Sequence, residues 1–329
     1  MSTRANLLPG TPRGRFAPSP TGLLHVGSAR TALAAWLSAR SQGGQFVWRI
    51  EDLDPPRAVA GTAEAALDDL RWLGLDWDEG PDIDGPHAPY VQSERYALYE
   101  AALRQLAEAG RLFPCRRSRK DLRAIASAPH GASGSPPYPA SLRPTGLAPG
   151  WFNRADGSDA ALRFLIAEGA VTFEDYVQGT VSETVSETTG DFVLKRRDGL
   201  YAYQLAVVVD DLAMGITEVV RGADLLGSTA RQVQLIEALG GARPAYAHLP
   251  LVLNAEGEKL SKRDEALALR SLRDRGVAPE ALVGVLAQSL GLAASSAPVS
   301  ARTLVPRFEW SHVRPEPWRL PGTLTKELR

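Results

Sequence analysis

A histidine and a glycine set between a turn and a helix are the first residues of this chain that could do chemistry. The stretch Arg15-Phe16-Ala17-Pro18-Ser19-Pro20-Thr21-Gly22 leads into His25-Val26-Gly27-Ser28. A strand ends, the backbone turns through proline and glycine, and a helix begins. The first turn of a helix presents unpaired N–H groups and a partial positive charge, so a phosphate can dock there. Gly27 carries no Cβ to hold a nucleotide off the backbone, and His25 can donate to phosphate oxygens as charge develops on them. Taken alone, one His-x-Gly reads more simply as a loop with a solvent-facing histidine.

A second chemical segment lies far along the chain. Lys259-Leu260-Ser261-Lys262-Arg263 follows the polar run Asn254-Ala255-Glu256-Gly257-Glu258. Two lysines on a movable loop can close over a triphosphate and neutralise the leaving pyrophosphate. In isolation the same residues read as the solvated basic start of a helix.

The elements that must position these residues alternate in type. Arg13–Ala17 and Gln45–Ile50 have strand character, and Ser28–Arg40 places Leu33, Trp36 and Leu37 at helical spacing. Ala63, Ala66, Leu67, Leu70 and Leu73 share a second helix face, stopped by Gly74; Tyr96, Tyr99, Leu103 and Leu106 share a third, stopped by Gly110. Strand–helix–strand with short links predicts a parallel sheet, hence an α/β fold of the doubly wound, Rossmann type. Val207-Val208-Val209 and Ile216–Val220 read as returning buried strands, and Ser228 as the cap of a helix carrying Val233, Ile236 and Leu239. The predicted organisation is a split catalytic domain (13–110 and 191–250), a small inserted domain rich in Pro, Gly and Ser (111–190), a C-terminal helical region (251–292) and a tail (293–329).

Composition narrows the class. At roughly 150 residues per domain, 329 residues suggest about two domains. Hydrophobic residues at 44% exclude wholesale disorder, and 37 basic against 38 acidic residues exclude a nucleic-acid coat spread over the whole surface. A local basic strip such as Arg116–Arg123 remains available for RNA. The single cysteine, Cys115, excludes an internal disulfide framework and suits a reducing compartment. No apolar leader or membrane span is evident, so the expected location is cytoplasmic.

Taken in order with the intervening Arg49-Ile50-Glu51-Asp52-Leu53-Asp54-Pro55-Pro56-Arg57, the two chemical segments resemble the class I aminoacyl-tRNA synthetases of the glutamyl type. The similarity runs from about Gly14 to Leu292. The stretches at 49–57, 201–211 and 219–226 resemble most the short branch of that family, which acts on queuosine in tRNA(Asp). The residues after Leu290 are also too few for the anticodon-binding domain of the longer members. The resemblance implies that L-glutamate is activated with ATP, accompanied by Mg2+, to glutamyl-adenylate. The glutamyl group then passes to queuosine at the wobble position of tRNA(Asp). It implies catalytic roles for His25, Gly27, Lys259 and Lys262, with ATP held by His25, Gly27, Ser28 and Lys262. Glutamate would be held by Arg15, Phe16, Ala17, Pro18, Ser19, Glu51, Tyr203 and Arg221. The chemistry agrees, because an ammonium needs an anion (Glu51) and a carboxylate suits a bidentate guanidinium (Arg221). A structural pair between Glu51 and Arg221 is the plain alternative. Asp210-Asp211 lies in a matched stretch without a catalytic role and is expected to be a structural turn.

The chain departs from its relatives at their zinc site. Cys115 and Tyr138 match two of four ligands, but Arg117 and Leu142 stand where the other cysteines belong, and His130 has no ligand spacing around it. One thiol and a phenol cannot complete a structural zinc shell, so no metal is expected in the insertion. A monomer with no DNA or membrane partner completes the expectation. Two competing readings are a truncated synthetase charging tRNA(Glu) and a catalytically inactive tRNA-binding module.

Overall fold

The computed structural model describes residues 11–118, 121, 137–148, 150–153, 159–254, 257, 258, 260 and 265–320. Along the chain it runs β1 (Arg13–Phe16), α1 (Val26–Ser41), β2 (Gln45–Trp48), α2 (Thr62–Trp72), α3 (Tyr96–Glu108) and β3 (Leu112–Cys115). Next come β4 (Ala161–Phe164), β5 (Val171–Asp175), β6 (Gly179–Glu183), the one-turn α4 (Val185–Thr188), β7 (Phe192–Lys195) and α5 (Tyr203–Ala213). The last part holds β8 (Glu218–Gly222), α6 (Thr229–Ala238), β9 (Ala245–Leu249), β10 (Val252–Leu253), α7 (Leu269–Asp274), α8 (Pro279–Ser289), α9 (Ala301–Leu304) and β11 (Trp318–Arg319).

The strands that carry the candidate site are parallel. β1 pairs with β2 from Arg13↔Gln45 to Phe16↔Trp48, and β8 pairs with β9 from Glu218↔Ala245 to Gly222↔Leu249. The Thr217 N–H donates to the Arg13 carbonyl (3.0 Å), which sets β8 beside β1. Side chains alternate across these strands, so β2, β8 and β9 each feed two cores. Phe16, Phe46, Trp48, Val220, Ala247 and Leu249 pack in one core with α1, α2 and α8. Val47, Val219 and Tyr246 pack in the other with α3, α5 and α6. Helices cover both faces, as a doubly wound sheet requires. Gly14 lets α1 lie close on β1, since a Cβ there would stand 3.3 Å from the Ala39 Cβ.

Two local expectations change. Val207–Val209 are not a strand: they lie inside α5, where Leu205, Ala206, Val207 and Val208 are buried. A short apolar run has no period of its own to separate helix from strand. Asp210 and Asp211 are correspondingly helical, not a turn. Asp210 is fully buried and accepts from Gln92 Nε2 (2.8 Å), Arg95 Nε (2.6 Å) and the Tyr99 hydroxyl (2.9 Å), which ties α5 to α3. Ser228 precedes α6, but its side chain makes no cap; its Oγ instead accepts from Gln204 and Arg231.

Of the strands in 111–190, β4 is flanked in an antiparallel sheet by β3 and by β7, which follows the stretch, whereas β5 joins the site-bearing sheet through a parallel contact with β9 at Asp175↔Tyr246. Beyond residue 292, Ala301, Leu304, Phe308, Val313 and Leu320 enter the first core, and β11 pairs with β10. No helix among the described residues is long and apolar enough to cross a membrane.

Candidate active site

A cleft of about 370 Å³ opens at the carboxyl end of β1, where ligands bind in sheets of this class. Its wall includes Phe16, Pro18, Ser19, His25, Gly27 and Ser28 from the predicted set. Thr21–Leu24, Arg30, Gly222, Pro250, Val252 and Leu260 also line it; Thr21, Gly22, Gly222 and Leu260 stood in the quoted stretches without a role of their own. Helix α1 begins at Val26, two residues before the predicted start, because His25 itself is the N-cap. The His25 Nδ1 accepts from the Ser28 N–H at 3.2 Å. A neutral imidazole accepting at Nδ1 carries its proton on Nε2, so His25 presents a donor. Gly27 is needed for this arrangement, since a Cβ there would lie 2.9 Å from His25 Cε1. The glycine therefore makes room first for the histidine ring.

Arg30 crosses from α1 to fix the cleft floor. Its guanidinium donates to the carbonyls of Pro250 (2.9 Å) and Ser289 (3.1 Å), and burial draws its pKa down to about 10. Lys259 and Lys262 lie outside the described residues. Leu260 between them is buried, lines the cleft, and donates its N–H to the Val252 carbonyl at 3.0 Å.

Behind the cleft sits a buried charged cluster that contains the other predicted ligands. Arg15 donates to the Val220 carbonyl (3.0 Å) and lies 3.5 Å from Asp211. Arg49, fully buried, donates to Asp211 (2.8 Å) and to Glu51 Oε1 (3.0 Å). Glu51 thus pairs with Arg49, and among the described residues no ion pair joins it to Arg221. Burial raises the Glu51 carboxyl pKa against the pull of Arg49 and Arg15. Asp211 goes the other way: burial would raise it, but Arg15 and Arg49 more than offset this and hold it low.

Tyr203, at the start of α5, has its hydroxyl 3.4 Å from Arg221 Nη1; burial raises its pKa, opposed by the nearby Arg221. Arg221, on β8, donates through Nε to His248 Nε2 (2.9 Å) and through Nη2 to Thr229 Oγ1 (3.0 Å). Its neighbour Gly222 lines the cleft. Ala17, half-buried just after β1, joins Arg15 and Phe16 to Pro18. Two features therefore meet near the ends of β1 and β8: a cleft of about 370 Å³ at a helix N-terminus, and a buried cluster in which the carboxylates of Glu51 and Asp211 lie among the guanidiniums of Arg15 and Arg49. Arg49, Thr229 and His248 were given no role by the sequence, and Asp211 was expected only in a structural turn. Arg49 follows β2 and His248 lies near the end of β9, whereas Asp211 sits within α5 and Thr229 opens α6.

Among the described residues, Cys115 and Tyr138 have no further metal-ligating side chain set beside them. Cys115 Sγ lies 3.8 Å from the Tyr138 hydroxyl, which also donates to the Leu142 carbonyl (3.2 Å). Phe113, Leu142 and Leu165 pack around the pair, and the Arg163 guanidinium lies 4.4 Å from the Tyr138 ring centroid. Among the described residues, apolar groups and a cation, not further ligands, surround the pair. His130 lies outside the described residues, as does half of the 116–123 strip; Arg116, exposed, pairs with Asp159 at 3.1 Å.

Residues 12–311 match the family model described as tRNA synthetases class I (E and Q), catalytic domain. A glutamyl-Q tRNA(Asp) synthetase of Symbiobacterium thermophilum is 50% identical over 310 residues, covering 94% of this chain and 96% of that protein. One from Nitratidesulfovibrio vulgaris is 44% identical, covering 96% and 98%. A glutamate–tRNA ligase of Syntrophus aciditrophicus is also 44% identical, covering 84% of this chain and 57% of the ligase. The crystal structure of a glutamate tRNA ligase from Elizabethkingia meningosepticum, in complex with its amino acid, superposes with a TM-score of 0.84 at 31% identity, covering 96% of this chain and 68% of that one.

Proposed function

From the premise that this chain belongs to the class I tRNA synthetase (E and Q) catalytic-domain family, we propose that it activates L-glutamate with ATP and transfers the glutamyl group to queuosine in tRNA(Asp). The observation that carries the reading is the 44–50% identity, over nearly the whole chain, to proteins named for that activity. The site supplies the parts. A glutamate ammonium would meet Glu51, whose Oε1 is already held by Arg49; a carboxylate would meet Arg221 beside Tyr203. Phe16, Ala17, Pro18, Ser19 and Arg15 would wall the amino acid at the end of β1. The α-carboxylate oxygen then attacks the α-phosphorus of ATP, and the bond to pyrophosphate breaks. His25, Gly27 and Ser28 at the start of α1 would face the phosphates, and Lys259 and Lys262 would take up charge on the leaving group. In the second step a hydroxyl of the queuosine cyclopentenediol attacks the glutamyl carbonyl, and AMP leaves.

Mg2+ enters this proposal only with the nucleotide. Among the described residues no group of three or more His, Cys, Asp or Glu is placed to hold a metal ion. A split catalytic domain with an inserted region at 111–190, a monomeric state and a cytoplasmic location complete the proposal.

Glutamate activation should not need RNA, because Arg49, Asp211, His248 and Thr229 already hold the pocket arginines and Glu51 in place. Glutamate-dependent exchange of pyrophosphate into ATP should appear without tRNA. Aspartate, one methylene short, and glutamine, which leaves a buried guanidinium without a counter-charge, should exchange poorly. Exchange seen only with tRNA present, or equal with glutamine, would overturn this reading.

A further inference from the structure

Arg221 is braced from behind by a chain of hydrogen bonds that ends on a carboxylate. Its Nε–H donates to His248 Nε2 at 2.9 Å, and His248 Nδ1 lies 2.6 Å from Asp175 Oδ2. A guanidinium cannot accept, so His248 Nε2 must be the lone-pair nitrogen and Nδ1 must carry the proton. Thr229 supports the same tautomer: its Oγ1 accepts from Arg221 Nη2 and lies 3.2 Å from His248 Nε2, to which its hydroxyl can donate. Asp175 is fixed in turn. Its Oδ1 accepts the backbone N–H groups of Val177 (3.0 Å) and Gln178 (2.9 Å), and both oxygens lie 3.1 Å from the His248 N–H. Asp175 and His248 are completely buried, with Tyr246 stacked on the imidazole. Burial lowers the His248 pKa, as do the facing cations Arg221 and Arg15, against the pull of Asp175.

We infer that Asp175 and His248 are positioning residues that orient Arg221 for a substrate carboxylate. A guanidinium has five N–H groups. His248 takes the one on Nε, Thr229 one on Nη2, and Tyr203 one on Nη1. One N–H on each terminal nitrogen remains, which is the fork that binds a carboxylate through both oxygens. The inference rests on the proposal that Arg221 is a glutamate ligand.

Asp175→Asn isolates the effect. The amide oxygen can still accept from Val177 and Gln178, but its NH2 then faces His248 Nδ1 and forces the proton onto Nε2. A donor would then oppose the Arg221 Nε–H. In pyrophosphate exchange, Asp175→Asn should raise the glutamate KM roughly 10- to 100-fold, the scale of one hydrogen bond to a charged group. The ATP KM should stay within about 2-fold, since the relay reaches the amino-acid pocket only. His248→Gln, which keeps an acceptor near the Nε2 position, should retain more glutamate affinity than His248→Leu. If Arg221→Ala leaves the glutamate KM unchanged, the substrate reading of this pocket fails. If Arg221→Ala raises it while Asp175→Asn and His248→Leu lower only the melting temperature, the positioning inference alone fails. Independently of any variant, nitrogen-15 NMR of the wild-type protein at neutral pH should show His248 as the neutral Nδ1–H tautomer. An Nε2–H tautomer or an imidazolium would overturn the inference.

Discussion

An Arg49→Met protein should lose about 3–5 kcal/mol of stability at pH 8, the usual cost of stranding buried charges. Arg49 is fully buried and lies against Glu51 (3.0 Å), Asp211 (2.8 Å) and Asp210 (3.7 Å). Methionine preserves much of the volume but leaves Glu51 and Asp211 without their shared counter-charge. The loss should also depend on pH. Without Arg49 the folded-state pKa of Glu51, already raised by burial, rises further above its unfolded value. A raised carboxyl favours folding while it is protonated, and that contribution disappears as pH climbs through the folded pKa. The deficit against wild type should therefore shrink toward pH 5. Urea unfolding followed by circular dichroism at both pH values measures it. Equal losses at pH 5 and pH 8 would indicate a packing defect and contradict this account of the cluster.

Lys262→Ala should slow adenylate formation roughly 10²- to 10³-fold, the scale for deleting one group that stabilises transition-state charge. Leu260, two residues earlier, is anchored to the Val252 carbonyl and lines the cleft. Glutamate binding measured without ATP should hardly change, because the lysine is assigned to the phosphates. Arg221→Ala should do the reverse, raising the glutamate requirement before it affects turnover at saturation. Single-turnover kinetics with calorimetric glutamate titrations separate the two. Lost glutamate affinity in Lys262→Ala with normal turnover would show that the loop serves the amino acid.

Much of this architecture was legible because its cues are local. The turn Pro18–Gly22 before α1, Gly74 and Gly110 after α2 and α3, and the apolar spacing of those helices each follow from a few neighbouring residues. Val207–Val209 were misread because three valines fit either period; what decides is tertiary, the Arg95, Gln92 and Tyr99 contacts that hold Asp210 one residue further on. The site divided in the same way. His25 and Gly27 stood out as candidates for a phosphate loop, yet the contact of a Gly27 Cβ with the His25 ring needs coordinates to see. Arg49 stood in a quoted motif without a role, because its partners Asp210 and Asp211 lie more than 150 residues away. Asp175 and His248 were invisible for the same reason: one belongs to the stretch 111–190 and the other to β9, and only the parallel contact of β5 with β9 joins them.

The central claim is that the acceptor is queuosine in tRNA(Asp) and not the 3′ end of tRNA(Glu). An unpaired anticodon base can be splayed out and read by stacking and edge hydrogen bonds, and the cyclopentenediol of queuosine offers hydroxyl nucleophiles arranged much as in a ribose diol. The measurement that separates the two acceptors directly is transfer of labelled glutamate to purified tRNAs whose 3′ ends have been removed enzymatically. The account predicts undiminished, alkali-labile labelling of 3′-truncated, queuosine-containing tRNA(Asp), and none of tRNA(Asp) lacking queuosine or of tRNA(Glu). Labelling of intact tRNA(Glu) that vanishes on 3′ truncation would contradict it and identify the chain as a tRNA(Glu)-charging enzyme.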